Sequence, residues 1–222
     1  MTRFRYCLPI AMVLAVSASV ARAEDPPPAP KPPAAPERPA PVVSVPTFQN
    51  TTCPIMGKPS SLALFTDTAD HGRIYVCCMP CVPKIKRDQD RAYTAAYPTV
   101  RRVGNTTDPL TGRALGEDAV TLSLQGYEIR VAPQSVKRTK ANAQIVLTLL
   151  LRANVVDVGN LRSPISNQPV VDNLFVLIDN DLVRLAAATE VEEVKRDPEK
   201  ARKTAKEIAA RQSAQQPPSE GR

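Results

Sequence analysis

Four cysteines fall at spacings that could gather sulfur: Cys53, then Cys77, Cys78 and Cys81. Thiolates are soft, charge-dense ligands that suit Zn²⁺ or Cu⁺ and favour tetrahedral or lower coordination. Cys53 opens a turn, Cys-Pro-Ile-Met-Gly, and the other three stand where a strand gives way to a helix. Hairpin closure would bring that turn and that junction together, and the helix start would favour thiolate there. Strand neighbours point to opposite faces, so Cys77 and Cys78 are awkward partners on one ion. Cys53, Cys77 and Cys81 are the expected core of a one-ion site, with Cys78 as a fourth ligand. Met56 and Met79 lie beside them; as secondary thioether ligands they would favour Cu⁺, and otherwise they are gap-filling apolar side chains.

Two other chemistries compete for the same sulfurs. In an oxidising compartment an even cysteine count points to disulfides, with three connectivities open to four residues. Cys53 to Cys81 or to Cys77 is the favoured bridge, because a vicinal Cys77–Cys78 link is strained. Cys78-Met79-Pro80-Cys81 also reads as a redox C-x-x-C at a helix start, but the βαβ surroundings of a thioredoxin fold are missing. Metal ranks first, structural disulfides second and redox catalysis last.

The elements that would position these residues occupy only part of the 222-residue chain. Residues 1–23 carry Arg3 and Arg5, an apolar run that includes Cys7, and an Ala-Arg-Ala cleavage signal, and are expected to be a secretory signal peptide. That predicts an exported protein, periplasmic or extracellular, with no membrane span after cleavage. Its removal takes three Arg and no acid from a chain of net charge +7, leaving +4. That balance, with aromatics at 4% and no Trp, speaks against a nucleic-acid partner. Residues 24–47 form a Pro/Ala-rich linker suited to polyproline II, and 213–222 a disordered tail.

Between them the chain repeats. NTTCPIMGKP (50–59), NTTDPLTGRA (105–114) and NLRSPISNQP (160–169) stand 55 residues apart, placing Cys53, Asp108 and Ser163 in register. The predicted fold is α+β, three tandem ββα units over 48–102, 103–157 and 158–212. The predicted hairpins are 62–66 with 73–77, 119–124 with 127–132, and 174–178 with 182–185. Helices follow over 80–96, 135–152 and 189–211, the last breaking near Asp197-Pro198. The apolar run 145–151 suits a buried junction between units.

CPIMGKP (53–59), IYVCCMPC (74–81) and KIKRD (84–88) resemble the YHS/TRASH-type heavy-metal-binding domain. Cys53, Tyr75, Cys77, Cys81 and Asp88 match its pattern; Gln89 stands where Pro is usual and Ile85 where an aromatic is usual. The third unit ends in DPEKA (197–201), close to the family's helix ending. The resemblance spans about residues 45–100 and implies metal binding, sensing or trafficking.

In the other two units the alignment sets Val131 and Leu185 against Cys77, and Ser135 and Thr189 against Cys81. Those units are expected to be metal-free and held by apolar packing alone. A single histidine, His71, excludes a multi-histidine metal site and reads as a solvated turn residue. Asn50 and Asn105 head sequons, and their recurrence suggests a turn or capping role. The charged run 190–206 reads as a solvated helix face. With no nucleophile–base pair, paired carboxylates or phosphate loop, no enzyme is expected. The predicted function is an exported heavy-metal-binding protein; the alternative is a disulfide-stapled structural or interaction module of the cell envelope, with an envelope protein as partner.

Overall fold

The computed structural model describes residues 40–215. The expected signal peptide, most of the Pro/Ala-rich linker and the last seven residues lie outside the described residues. The described part is a mixed α+β fold with six helices and three small sheets.

Each hairpin forms where alternating or apolar residues flank turn residues. β2 (Phe65–Thr68) and β3 (Gly72–Tyr75) pair antiparallel, as do β5 (Val120–Leu124) with β6 (Tyr127–Val131), and β8 (Phe175–Ile178) with β9 (Asp181–Arg184). Gln125 and Gly126 both take positive φ, the conformation that closes a two-residue hairpin without splaying its strands. The first hairpin is shifted from expectation, because Ser60–Leu64 is a loop clasped to Val76 by backbone bonds at 2.9 and 3.0 Å.

Each hairpin leads into two helices rather than one. These are α1 (Val82–Arg87) and α2 (Gln89–Ala96), α3 (Val136–Ala141) and α4 (Ala143–Leu151), and α5 (Glu190–Arg196) and α6 (Pro198–Gln215). The breaks fall at Asp88, Asn142 and Asp197, all with non-helical φ/ψ. Asp88 and Asp197 each cap the following helix by accepting the N–H three residues on. Asp88 does this without the proline that marks Asp197. α6 continues past residue 212, since Ser213–Gln215 carry no helix breaker.

Two-residue strands β4 (Arg101–Arg102) and β7 (Val156–Asp157) lie parallel to β6 and β9. Arg101 and Val156 donate their N–H to Gly126 and Asn180. Pro46 stands 55 residues before Arg101 and has no N–H to give, and the first hairpin remains two-stranded. The linker expected over 24–47 is not structureless at its end: β1 (Val43–Ser44), in a β-branched run, pairs antiparallel with β8.

Apolar side chains gather in one cluster per segment, and a fourth cluster joins α4 to β8 and β9 through Ile145, Phe175, Leu177 and Leu182. α4 is buried from Ala143 to Thr148; of the apolar run 145–151 expected at the junction, Leu149 and Leu150 are half-buried and Leu151 is exposed. His71 is not a solvated turn residue. Its ring stacks on Tyr93 at 4.1 Å, and its Nδ1 and Nε2 lie 3.2 Å from the Ser123 carbonyl and 2.9 Å from Asp90. No helix among the described residues is long and apolar enough to cross a membrane.

Candidate metal centre

The site is built from a turn, a strand end and the first turn of a helix. Cys53 donates its N–H to Lys58 at 2.7 Å and accepts the Gly57 N–H at 2.9 Å. Gly57 takes φ +65°, a conformation that glycine adopts freely. Asn50 ties this turn to β3: its Oδ1 accepts the Tyr75 N–H at 2.8 Å, while its Nδ2 donates to the carbonyls of Tyr75 and Thr52. This clamp holds Cys53 beside Cys77, two residues past Tyr75. A single 3₁₀ turn over Met79–Cys81 then brings Cys81 back toward the turn.

The sulfurs of Cys53, Cys77 and Cys81 all lie within 4.8 Å of one another. Cys53 and Cys81 are buried and Cys77 is half-buried. Among the described residues Cys53, Cys77, Cys78 and Cys81 are free thiols, and the alternative bridges from Cys53 to Cys77 or Cys81 are not formed. Cys78 stands beside the trio, 3.4 Å from the Cys81 sulfur and 3.8 Å from that of Cys77. Met56 and Met79, the expected secondary ligands, are 50% and 61% exposed.

Thiolate is favoured on the turn, not at the helix start. Burial alone would raise the Cys53 pKa. The N–H groups of Cys77, Ile55 and Met56 and the Cys81 thiol all point at its sulfur and hold it down to about 7. Burial, then the Cys78 and Cys53 sulfurs, push Cys81 up to about 12. Burial and the Cys53 sulfur raise Cys77 also. Cys53 is therefore the first anion of the group, and a soft cation that draws all three into thiolate form must displace protons.

The same turn recurs at Asp108 and Ser163, with matching backbone bonds and positive φ at Gly112 and Asn167. Asn105 clamps Arg130, and Asn160 clamps Arg184, as Asn50 clamps Tyr75. These clamps correct the alignment read from sequence. Ala132 and Ala186, not Val131 and Leu185, correspond to Cys77, and Glu190, not Thr189, corresponds to Cys81. Ser135 keeps its place because the second segment is one residue shorter after its clamp.

Nor are the sister pockets held by apolar packing alone. Asp108 is 1% exposed; its Oδ1 accepts the N–H groups of Leu110 and Thr111, and its Oδ2 that of Ala132. Glu190 is 5% exposed and accepts from the Ser163 and Ser166 hydroxyls and the Ala186 N–H. Glu190 is thus no part of a solvated face. A carboxylate fills each of these two pockets where the first segment has sulfur. The clamp asparagines could be found from sequence by their 55-residue interval; Glu190 could not, because its carboxylate enters from the helix rather than the turn.

No protein-family model, curated protein or solved structure matches the chain.

Proposed function

We propose that this protein is an exported heavy-metal-binding protein that holds one Zn²⁺ or Cu⁺ ion through Cys53, Cys77 and Cys81, for metal binding, sensing or trafficking. The observation that carries the reading is the convergence of three sulfurs, drawn from two distant stretches of chain, within 4.8 Å. Three thiolates suit a three-coordinate Cu⁺, or a Zn²⁺ whose fourth position goes to an outside ligand. In this reading the fold is three copies of one ββα unit of YHS/TRASH type. The second and third copies have exchanged their sulfurs for carboxylate-filled pockets and serve as a structural platform. The reading also makes the protein a binder rather than an enzyme.

Elemental analysis of anaerobically purified protein, with thiol counts before and after chelation, tests the proposal. One ion per chain and thiols that become reactive on chelation are expected. Absence of any ion, with thiols unreactive even after denaturation without reductant, would replace it with the disulfide-stapled envelope module.

A further inference from the structure

We infer that Cys78 and Cys81 form a redox couple whose closure to a disulfide expels the bound ion; this rests on the reading of Cys53, Cys77 and Cys81 as its ligands. Cys78 is half-buried beside the three-sulfur group, whereas Cys81, a member of that group, is 2% exposed. Their sulfurs are 3.4 Å apart. The Cys81 N–H bonds the Cys78 carbonyl at 3.2 Å, closing a tight turn between them. Such a turn holds its end Cα atoms under about 7 Å apart, close to the span of about 4.4–6.8 Å that disulfides bridge. Cys77 is 3.8 Å from Cys78 but adjacent in the chain, where a bridge is strained.

The oxidant is a low-molecular-weight disulfide, represented by oxidised glutathione. The more accessible Cys78 thiol loses its proton, and its sulfur attacks one glutathione sulfur. The glutathione S–S bond breaks, a mixed disulfide forms and one glutathione thiolate leaves. Cys81, as thiolate, then attacks the Cys78 sulfur and expels the second glutathione thiolate. The Cys78 thiol and the Cys81 thiolate, whose proton left when the ion was loaded, have together lost two electrons and one proton; one oxidised glutathione has become one reduced glutathione and one thiolate, which takes a proton from water. Cys81 no longer offers a thiolate, and an ion left with Cys53 and Cys77 is held more weakly and passes to a competing chelator. Reduction restores the third ligand.

The test loads the full chain with Cu⁺ or Zn²⁺ under reducing conditions and then adds oxidised glutathione. Ion release is followed with a colorimetric chelator, and cross-links are mapped by mass spectrometry of unreduced peptides. Release in step with a Cys78–Cys81 cross-link, reversed by dithiothreitol, is expected. Cys78→Ser, with Cys78→Ala as its backup, should bind the ion and retain it through the same treatment. A cross-link between another pair, or equal release from the Cys78 variants, would overturn the inference. If the parent chain binds no ion, the ligand reading fails. The map of the ion-free chain still decides whether Cys78 and Cys81 couple, since any other pairing rejects it.

Discussion

Glu190 accepts the hydroxyl of Ser163 at 2.8 Å, and these two residues hold in the third segment the places that Cys81 and Cys53 hold in the first. Asp108 makes the same substitution from the other side, out of the turn instead of the helix. All three pockets surround an acidic group with backbone N–H donors, and the identity of that group separates a cysteine cluster that could hold a metal from pockets filled by a carboxylate.

Burial by itself would raise the Glu190 pKa, but the Ser166 hydroxyl, the Ala186 N–H, the Ser163 hydroxyl and the Ala187 N–H bring it below its ordinary value of 4.5. Its carboxyl therefore gives up its proton more readily in the folded chain than in the unfolded one. The resulting stabilisation is complete above the unfolded value and fades as pH falls from there through the folded value. Glu190→Gln should cost about 2 kcal/mol near pH 7, and the gap should narrow in melts taken in increasingly acid buffer. An equal gap at every pH would show that the charge is irrelevant.

Replacing Cys53 with serine should weaken ion binding by more than about 100-fold, since even losing a hydrogen bond that merely orients a ligand commonly costs about 10- to 100-fold. The helical and β signals in circular dichroism should persist, because the second and third segments have their own apolar clusters. Collapse of the whole spectrum would contradict a modular arrangement.

The second segment retains the turn and the clamp that organise the first. The combined variant Asp108→Cys, Ala132→Cys, Ser135→Cys should therefore take up a second ion, raising the stoichiometry measured by elemental analysis from one to two. A folded triple variant still holding a single ion would show that the pocket's geometry, and not only its side chains, has changed.

The three clamp asparagines make the same three bonds but differ in burial. Asn50 and Asn160 are 3% and 0% exposed, and Asn105 is only half-buried. Alanine at position 50 or 160 leaves buried backbone groups without partners and should cost about 2–3 kcal/mol, against about 1 kcal/mol at position 105. Urea denaturation of the three variants measures the ranking; equal losses would mean that desolvation does not set the cost.

Gly72 combines φ +75° with a tight contact, since a Cβ there would lie 2.7 Å from that of Ala143 in α4. Gly72→Ala should destabilise the chain by about 2–4 kcal/mol, through backbone strain and overpacking together. Pairing it with Ala143→Gly, which relieves the crowding but not the strain, should recover part of that loss in the same denaturation experiment.

Much of the site was legible because its signal is local. Cys53 was marked by a turn sequence, and Cys77 and Cys81 by a strand meeting a helix. The correspondence at Cys77 differs by one residue from the sequence alignment, which sets strand ends against one another; the clamp spans 25 residues in the first and second segments and 24 in the third. His71 departs from the solvated turn expected of it through contacts distant in sequence. Its turn sequence suggests solvent, yet Tyr93 and Ser123 approach it from other elements, and no local pattern announces them. The helix break at Asp88 was equally silent, as only its counterpart at Asp197 is followed by proline.

Val43 pairs with Ile178, so the strand nearest the start of the described chain is completed by a hairpin made 135 positions later. During synthesis that first strand emerges with nothing to bind until almost the entire fold has been translated. Pairing so distant in sequence is slow to form and adds to a folding barrier. β1 thus acts as a latch, engaged only after the third hairpin exists, and a nascent protein interrupted before that point would leave it unfastened.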